Sequence, residues 1–584
     1  MARESSTAKK PDQAVVESLF SLYREGNYAE LAGRIQSLLN DHPEELVLHS
    51  LLGAAWLELG EYDSAIDSYR AALAIKPDFD KVHNSLGIAH LRLRQFDEAG
   101  TAFRNAVGIN PRFAEAWFNL GIVHENSRQW SAAAECYRKA IAARPDYAEA
   151  HNSLATVLWQ EGETDAVAEH YGKALSLRRN YYPAWRNLLH FLEKANRHEE
   201  LKQARQQAAD VLGNHELIRF YAGVLADMDN DTALARTLLE SIVFDTGDNL
   251  GCHDEQLRLG RLVAVCDRLD DTAGAMDYAR RANALSQAIS ADKGIAGEGY
   301  QVMVRERRAF FVPENLSCWS ILPQSGMNEM APVFIVGFPR SGTTLLDTIL
   351  RGHPQIRIAE ECDAVALLVD RLASASDHHL QNLPDLKPDT IRQLGELYRD
   401  RLNYHLQTDD ESLRLIDRST LNMIHAGEIL RIFPEARFIF LLRHPADSVL
   451  SCYMQTFYET PANANFYSLE DAAALYDLVF GLWRQYEEGL GMNILYVRYE
   501  DIVEDIEQAC RSVLDFIDMP WHPAMLEHRS TARNREMIRT ASYNQVTQPL
   551  YTRAAGRWRR YRDALEPVLP VLEPWARRFG YSMK

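Results

Sequence analysis

A 34-residue period in the first third of the chain constrains its fold more than any other feature of the sequence. Prolines recur at this spacing, at Pro43, Pro77, Pro111 and Pro145. The dipeptide Leu-Gly keeps the same period, at residues 52–53, 86–87 and 120–121. One residue class held in one phase over four cycles indicates a structural unit that is repeated along the chain.

The repeated unit has the pattern of two helices joined by a turn. Small alanines recur and are followed four residues later by an aromatic residue, in the pairs Ala65 and Tyr69, Ala99 and Phe103, and Ala133 and Tyr137. We expect the alanine where two helices cross, the aromatic ring beside it, and the glycine where the helices approach closely. The proline ends the second helix and opens the loop to the next unit.

This unit resembles the tetratricopeptide repeat, whose W-x2-L-G pattern is present at residues 117–121. The period extends back to Gly26 and forward to Leu188, and residues 190–290 are typical of irregular helical pairs that continue the array. We therefore predict an α-solenoid over residues 12–290. The resemblance implies a concave surface for a peptide or protein partner. The alternative is a scaffold that binds nothing and only orders the chain or forms a homodimer.

Composition and charge restrict the class of protein. Apolar residues make up 46% and charged residues 25% of the 584, which excludes a largely disordered chain. The 63 lysines and arginines against 82 acidic residues leave a net charge of −19, which argues against a general nucleic-acid or anionic-membrane binder. Residues 1–11 are polar and expected to be disordered, and neither a secretory signal nor a spanning helix is visible. These features predict a cytoplasmic protein.

Cysteines and histidines do not form a recognisable metal site. The seven cysteines are scattered without a C-x2-C pair, as is typical of reduced thiols, at residues 136, 252, 266, 318, 362, 452 and 510. The run Asp377-His378-His379 has no second cluster of ligands at a suitable spacing. We therefore expect no bound metal.

A second region begins where the helical period breaks. Residues 291–330 are rich in Gly, Pro, Ser and Asn, and we predict a linker there. The apolar, β-branched run at 332–336 predicts a buried strand. We expect residues 331–584 to form an α/β, P-loop-like domain with a parallel sheet.

The predicted strand leads into a glycine-bounded loop and a helix. Residues 337–344 read G-F-P-R-S-G-T-T, the spacing of the phosphate loop G-x4-G-K-[ST], with Thr343 in place of the lysine. Loop amides and a helix N-terminus direct hydrogen-bond donors at an anion. A kinase or NTPase needs the missing lysine, so that alternative is disfavoured. Arg340 supplies a cation instead, as a planar fork that can grip a phosphate or sulfate.

The loop resembles the 5′-phosphosulfate loop of sulfotransferases that use 3′-phosphoadenosine-5′-phosphosulfate (PAPS). The resemblance assigns donor binding to Arg340, Ser341, Gly342, Thr343 and Thr344. A second apolar strand at 436–442 leads into Arg443, and Ser451 follows eight residues later. An arginine at a strand end and a serine two turns into the next helix can reach one phosphate, and this pair resembles the 3′-phosphate site of the family.

The stretch 331–562 resembles the tyrosylprotein sulfotransferases. The motif H-P-x-I-R at 353–357 leads into Glu360 and Glu361 as it does in that family. By this match Glu361 corresponds to the catalytic base, and a carboxylate beside a hydroxyl can take its proton. The alternative is a pair of acidic residues at a helix start, where such residues are favoured.

The same resemblance assigns further positions. Arg418 falls where the family carries a transition-state lysine, and it keeps the positive charge but cannot donate a proton. Ser542 matches the second transition-state residue. Tyr499 matches a nucleotide-contacting tyrosine, and Arg557 takes the place of a lysine on the 3′-phosphate. Gln455 stands where the family has an arginine, so fewer cations would hold that phosphate.

The resemblance implies that the chain moves a sulfuryl group from PAPS to an acceptor hydroxyl without a metal. A tyrosine of a protein or peptide is the first acceptor to consider, while hydroxyls of carbohydrates and small molecules stay open. The alternative is a non-catalytic adaptor that binds the nucleotide here and proteins through the repeats. Glu361 favours the enzyme. We expect neither nucleic acid nor a membrane among the partners.

Overall fold

The chain folds into two compact units, Met1–Gly213 and Asn214–Lys584. The structure is a computed structural model that describes residues 11–316, 331–375, 379–528, 531 and 555–584. The disorder expected for residues 1–11 falls almost wholly outside these ranges and stays a prediction.

In its described residues the first unit is a run of twelve helices, each packed against the next along the chain. Their bounds are α1 (Gln13–Arg24), α2 (Tyr28–Asp41), α3 (Leu46–Leu59), α4 (Tyr62–Ile75), α5 (Asp80–Arg92), α6 (Phe96–Ile109), α7 (Ala114–Asn126), α8 (Trp130–Ala143), α9 (Ala148–Glu161), α10 (Thr164–Leu177), α11 (Tyr182–Lys194) and α12 (His198–Leu212). The helices α4, α6, α8 and α10 each begin 34 residues after the one before. The predicted solenoid of helical pairs is confirmed.

The Leu-Gly positions are where the two helices of a repeat approach most closely. A β-carbon added at Gly87 would lie 2.6 Å from the ring of Phe103, and one at Gly121 would lie 2.5 Å from the ring of Tyr137. Both rings are fully buried, as is Ala99. Glycine, alanine and aromatic residue therefore have the packing roles that the period predicts.

The second unit begins with further helices. These are α13 (Glu216–Met228), α14 (Thr232–Glu240), α15 (Asn249–Arg268), α16 (Thr272–Asp292), α17 (Gly297–Phe310) and α18 (Pro313–Leu316). The boundary between units at 213/214 differs from the domain boundary placed near residue 290 in the sequence. The reason is that the last of these helices, α16 and α17, pack against helices and turns of the sheet region that follows.

Helix α17 lies inside the stretch 291–330 that the sequence predicted as a linker. Its inward side chains are buried despite the glycines nearby. Arg307 donates to Glu428 Oε1 from Nε at 2.9 Å and from Nη2 at 2.5 Å, and both side chains are inaccessible to solvent. Phe311 packs on Gly427, where an added β-carbon would overlap its ring. This burial makes the segment an ordered helix, which its loop-like composition does not indicate.

A five-stranded parallel sheet forms the centre of the second unit. The strands are β1 (Val333–Gly337), β2 (Ile356–Glu360), β3 (Arg414–Arg418), β4 (Arg437–Leu442) and β5 (Asn493–Arg498), in the spatial order β2-β3-β1-β4-β5. The predicted strands at 332–336 and 436–442 are β1 and β4. The α/β fold with a parallel sheet is confirmed.

Helices and short 3₁₀ turns connect the strands. The helices are α19 (Thr343–Leu350), α20 (Ala364–Ala375), α21 (His379–Asn382), α22 (Pro388–Leu406), α23 (Ala426–Ile432), α24 (Pro445–Tyr453), α25 (Leu469–Gly489), α26 (Tyr499–Glu504), α27 (Ile506–Phe516), α28 (Arg562–Leu565) and α29 (Leu569–Arg578). The 3₁₀ turns are Thr420–His425, Asn463–Phe466, Pro523–Glu527 and Arg557–Tyr561.

The sheet is buried on both faces, which explains the continuous apolar runs of its strands. Phe334 and Val336 pack into one apolar cluster, and Val333 and Ile335 pack into another on the opposite side. No helix in the described part of the chain combines the length and the apolar character needed to cross a bilayer.

Candidate active site

The predicted site residues stand at the carboxyl ends of the five strands. Strand β1 ends at Gly337 before the loop, β2 at Glu360 next to Glu361, β3 at Arg418, β4 next to Arg443, and β5 next to Tyr499. Parallel strands end at one edge of a sheet, so segments far apart in sequence converge there. The strand order reverses beside β1, which is where α/β sheets bind ligands.

The loop between β1 and α19 is shaped by residues with left-handed backbone conformations. Gly342 caps α19 with φ +106°, and Arg340 has φ +69°. A β-carbon at Gly342 would lie 2.6 Å from Tyr499 Cδ2, so only glycine allows the loop to pack on that ring. Thr343 and Thr344 begin the helix and are buried. The loop therefore presents a helix N-terminus, where backbone amides favour an anion.

Ser341 gives this loop an unmet hydrogen-bonding requirement. Its side chain is 1% exposed, and its Oγ has no hydrogen-bond partner among the described residues. A buried hydroxyl without a partner is costly, and an anion with several acceptor oxygens would meet the need. The loop thus fits the phosphosulfate group that the sequence resemblance implies.

The residues predicted to bind the 5′-phosphosulfate and those predicted to bind the 3′-phosphate form one cluster. Arg340 Nε donates to Ser451 Oγ at 3.1 Å, and Arg443 Nη1 donates to the carbonyl oxygen of Arg340 at 2.9 Å. The guanidinium of Arg443 also lies 5.1 Å from the centre of the Tyr499 ring. The residues assigned to the 5′ and 3′ ends of the donor are therefore in direct contact.

Positive charge accumulates around Arg340. Burial lowers the pKa of its guanidinium to about 10, and the neighbouring charges of Arg443 and Arg557 act in the same direction. Arg340 stays protonated at neutral pH, so guanidiniums are held close together against their mutual repulsion. Such an arrangement favours a ligand of high negative charge.

Two aspartates hold Arg557 near this cluster, one through the backbone and one through the side chain. Asp447 of α24 accepts from the backbone N–H of Gly556 at 2.8 Å and of Trp558 at 2.7 Å, which fixes the chain on either side of Arg557. The Arg557 side chain donates from Nε to Asp267 Oδ1 at 3.1 Å. Asp267 lies on α15, in the helical part of the second unit.

A second cluster pairs one arginine with three carboxylates. The Arg418 side chain is fully buried, and its nitrogens lie 3.4 Å from Asp347, 2.6 Å from Glu360 and 3.2 Å from Glu361. Burial opposes the charge of Arg418, but the three carboxylates outweigh it and raise the pKa of the guanidinium. Asp347 lies one turn into α19, so this cluster adjoins the anion loop.

Glu361 is the solvent-facing member of the second cluster. Its backbone has φ +51°, and its N–H donates to the carbonyl oxygen of Arg418 at 2.9 Å. Its side chain is 44% exposed, whereas those of Glu360 and Asp347 are 7% and 0% exposed. Desolvation raises the pKa of Glu361, the charges of Glu360 and Asp347 add to this, and Arg418 opposes it. A carboxylate with a raised pKa, directed to solvent by a buried arginine, is suited to accept a proton.

The structure thus brings together every predicted site residue that it describes. Ser542 lies outside the described residues, as do Asp377 and His378 of the weighed metal motif. Gln455 donates to the neighbouring Thr456 carbonyl oxygen. In the described ranges, no group of three or more His, Cys, Asp or Glu side chains is placed to hold a metal ion.

Sequence reasoning missed Asp347 and Asp267, the carboxylates that pair with the two predicted arginines. Asp347 has a weak signal, because it is a charged residue within the apolar run of α19, where only a paired charge is stable. Asp267 has none, because its partner Arg557 is 290 residues away.

These features define an α/β enzyme-like domain with a cationic anion site beside a proton-accepting carboxylate. Residues 332–523 match a family model described as "Sulfotransferase family". Models of the tetratricopeptide repeat match residues 53–93, 84–128 and 114–147. The chain therefore joins tetratricopeptide repeats to a sulfotransferase-family domain.

A further model, described as "Est1 DNA/RNA binding domain", matches residues 133–237. This range covers helices from both units: α9 to α13 in full and parts of α8 and α14. Binding of nucleic acid by this chain is untested, so the expectation that it has no such partner stays a prediction.

Several relatives resemble parts of this chain, and the protein-tyrosine sulfotransferases among them resemble its C-terminal part. A protein-tyrosine sulfotransferase of Drosophila melanogaster is 23% identical over 245 residues, covering 39% of this chain and 47% of the relative. Protein-tyrosine sulfotransferase A of Caenorhabditis elegans is 24% identical over 273 residues, covering 45% of this chain and 70% of the relative. An uncharacterized protein of Aquifex aeolicus is 29% identical over 287 residues, covering 47% and 36%. The chain thus spans less than half the length of two of these relatives.

Solved structures resemble the chain at a lower level. The crystal structure of MamA has a TM-score of 0.27 and 20% identity, over 29% of this chain and 97% of that one. YrrB, described as a TPR protein with an unusual peptide-binding site, has a TM-score of 0.29 and 16% identity, over 32% and 96%. These likenesses are too weak to support a function.

Proposed function

We propose that the chain transfers a sulfuryl group from PAPS to the hydroxyl of an acceptor. The observation that carries this proposal is the convergence of Arg340, Ser341, Arg443 and Ser451 beside Glu361 at one edge of the sheet. The match to the sulfotransferase family and the protein-tyrosine sulfotransferase relatives support it.

Loop residues would bind the 5′ end of the donor. The amides at Gly342, Thr343 and Thr344, the Ser341 hydroxyl and the Arg340 guanidinium would donate to the phosphosulfate. The 3′-phosphate would lie against Arg443, Ser451 and Arg557, with Tyr499 beside the nucleotide. The donor supplies the sulfuryl group and leaves as 3′,5′-ADP.

Glu361 would accept the proton of the acceptor hydroxyl as that oxygen bonds to sulfur. Arg418 would hold Glu361 in place through its ion pair and favour the ionised form of that carboxylate, and this role is supported by its three ion pairs. The positive charge also lies next to the loop, where it would offset negative charge on the transferred group. Ser542, assigned by resemblance alone, would also help to offset negative charge on the transferred group.

A tyrosine of a protein or peptide is the acceptor that we propose to test first. The printed names of the relatives support it, and Glu361 matches the base of that family. A phenolic hydroxyl loses its proton near pH 10, so a carboxylate can assist it more effectively than it could an aliphatic hydroxyl. Carbohydrate and small-molecule hydroxyls are the competing acceptors.

The donor site is tested by calorimetric titration with 3′,5′-ADP, 5′-AMP and ATP. We expect clear preference for the nucleotide with the 3′-phosphate, and we expect Arg443→Ala to remove that preference while 5′-AMP still binds. Equal affinity for 3′,5′-ADP and 5′-AMP would contradict the donor assignment.

Catalysis is tested separately with ³⁵S-labelled PAPS and a panel of tyrosine peptides, sugars and small phenols. Transfer of label to one class identifies the acceptor. Donor binding without transfer to any of them would favour the alternative of a non-catalytic nucleotide-binding adaptor.

We further propose that the repeats bind a peptide or protein partner, in line with the matches to repeat models. Asparagines link first helices of successive repeats: Asn119 Nδ2 donates to Asn84 Oδ1 at 3.0 Å, and Asn187 Nδ2 donates to Asn152 Oδ1 at 3.1 Å. Once a protein acceptor is known, Asn119→Ala should raise its KM and leave transfer to a small phenol unchanged. An equal effect on both acceptors would contradict this role.

A further inference from the structure

A carboxylate from the helical part of the second unit contacts the proposed nucleotide site. Asp267, at the end of α15, is 6% exposed. Its Oδ1 accepts from Arg557 Nε at 3.1 Å, from Arg560 Nη2 at 3.0 Å and from the Tyr561 hydroxyl at 2.7 Å. Asp267 lies outside residues 332–523, which match the sulfotransferase family.

Arg557 requires such a counter-charge because it lies among other cations. The charges of Arg443 and Arg557 both act on the ionisation of Arg340, so each of these two guanidiniums is close enough to be repelled by that of Arg340. In the described residues, Asp267 is the only carboxylate within ion-pair distance of Arg557. Without Asp267, repulsion would favour conformations of Arg557 that point away from Arg340 and Arg443.

We propose that Asp267 is a positioning residue that holds Arg557 ready for the 3′-phosphate of the nucleotide donor. This inference rests on the function proposed above. Asp267 occupies Nε of Arg557, and Met454 Sδ accepts from Nη2 at 3.0 Å. Neither of these two contacts uses Nη1, the nitrogen that would donate to the phosphate. The helical pair α15–α16 therefore contributes a residue that positions a ligand-binding arginine of the nucleotide site.

Packing of the same helical pair against α24 supports this assignment. Asn283 of α16 donates from Nδ2 to the carbonyl oxygen of Tyr453 at 2.9 Å, at the end of the helix that carries Ser451. An added β-carbon at Gly260 of α15 would lie 2.7 Å from Thr456 Oγ1. The pair thus fixes both the residue that holds Arg557 and the helix that presents Ser451.

Asp267 acts as an anchor and does not block the site. It has three side-chain donors on one oxygen and is almost fully buried, so an incoming phosphate displaces none of the contacts with Arg560 and Tyr561. A blocking carboxylate would predict the opposite result in a binding experiment, since its removal would increase the affinity for the anion.

The test is calorimetric titration of the full chain with 3′,5′-ADP and 5′-AMP. We expect Asp267→Asn to weaken 3′,5′-ADP binding about tenfold, the effect of one charge-assisted contact, and to leave 5′-AMP within about twofold. The matched control is Asp270→Asn, because Asp270 pairs with Arg560 and is 60% exposed. This control should bind both nucleotides as the parent does.

A double-mutant cycle separates positioning from a general structural effect. Arg557→Ala should lose the same selectivity, and adding Asp267→Asn to it should cost nothing further. Additive losses, equal loss of 5′-AMP affinity, or tighter 3′,5′-ADP binding would each overturn the inference. Asp267→Glu, which shifts the carboxylate by one methylene, covers the case in which Asp267→Asn does not fold. It should weaken 3′,5′-ADP binding about threefold, and parent-like affinity would overturn the inference.

The outcomes distinguish this inference from the proposed function. A parent chain with no preference for 3′,5′-ADP over 5′-AMP would refute the donor site and the role of Asp267 together. A parent preference that persists unchanged in the Asp267 variants would refute the role of Asp267 alone and leave the donor site intact.

Discussion

At the scale of single residues, the site depends on how buried charges are paired. Arg418 is surrounded by Asp347, Glu360 and Glu361, and only Glu361 has substantial exposure. Two of the negative charges therefore stabilise the arginine, and the third faces the space where an acceptor would bind. The positive φ of Glu361 turns its side chain out of the line of β2, which is a strained conformation for a residue with a β-carbon.

Replacing this carboxylate by an amide should remove the proton acceptor and keep the shape of the site. We expect Glu361→Gln to lower kcat by about 10²–10⁴ and to leave 3′,5′-ADP affinity within a few-fold, because a general base need not contact the donor. Steady-state transfer rates and calorimetry measure the two effects. Glu411→Gln, at an exposed turn, is the matched control and should behave as the parent. An unchanged kcat in Glu361→Gln would exclude this residue as the base.

The pH dependence of transfer should report the raised pKa of Glu361. The base is active when deprotonated, so kcat/KM should fall as the pH is lowered through its pKa, and that midpoint should lie above the ordinary value of 4.5. A pH series of initial rates measures the midpoint. The residual activity of Glu361→Gln should lack this acid limb. A midpoint at or below the ordinary value would contradict the electrostatic description of the site.

Asp417, a buried carboxylate, should make the stability depend on pH. Burial raises the pKa of Asp417 to about 7, and the charge of Glu361 adds to this. The folded chain then keeps a proton that the unfolded chain loses, so stability should fall as the pH rises from the ordinary pKa of 3.8 to about 7. In Asp417→Asn this loss should be smaller by about 1–3 kcal/mol, as measured by denaturant unfolding at several pH values. Asp400→Asn, at an exposed position, serves as the control. Identical dependence of stability on pH in the parent and in Asp417→Asn would contradict the raised pKa of Asp417.

At the scale of elements, close packing of helix pairs explains the period of the sequence. Gly87 and its equivalents let the first helix of a repeat lie on the aromatic ring of the second. The buried ion pair of Arg307 and Glu428 joins α17 to α23, whereas apolar contacts join the helices of the repeats. The composition of residues 291–330 predicted a loop because this stretch is rich in glycine and proline. The burial that makes α17 a helix depends on contacts with α23, which composition does not record.

Two glycine substitutions test the packing of the repeats. Gly87→Ala should destabilise the chain by about 1–3 kcal/mol, because the added methyl group overlaps the buried ring of Phe103. Gly108→Ala is the matched control in the same region, since it has open space around its β-carbon. It should be neutral or stabilising by up to about 1 kcal/mol. Thermal unfolding measures both, and equal effects would show that helix propensity, not packing, decides.

At the scale of the whole molecule, the second unit joins helices of the diverged array to the sulfotransferase-family sheet. The contacts of Asp267, Asn283 and Arg307 cross from α15, α16 and α17 to elements of the sheet region. A ligand that binds at the sheet edge should therefore protect these helices as well, because they open together with the site that they support.

Hydrogen exchange should show this coupling. With 3′,5′-ADP at about 100 times its Kd, the unit that holds the site gains about 2.7 kcal/mol of stability. Exchange should slow in α15, α16, α19 and α24 and stay unchanged in α5 to α8 of the first unit. Protection of α19 and α24 without α15 and α16 would contradict the coupling between the helical pair and the nucleotide site.

The sequence by itself determined the features that arise from local patterns. The 34-residue period repeats a pattern that each helical pair carries within itself. The strand–loop–helix at 332–350 and the strand before Arg443 depend on residues that are close together along the chain. Such patterns predicted the solenoid, the parallel sheet and the loop that presents Arg340. Resemblance then assigned the site positions, and the structure brings those at the strand ends, among them Glu361 and Arg418, to one edge of the sheet.

Only the tertiary structure decided which charges are paired. The partners of Arg418 lie up to 71 residues away, on α19 and β2, and the partner of Arg557 lies 290 residues away on α15. The same is true of the end of the helical array, because α17 is ordered by contacts with Glu428 and Gly427. Side chains meet across the fold according to the packing of whole elements, and no spacing in the sequence records that packing.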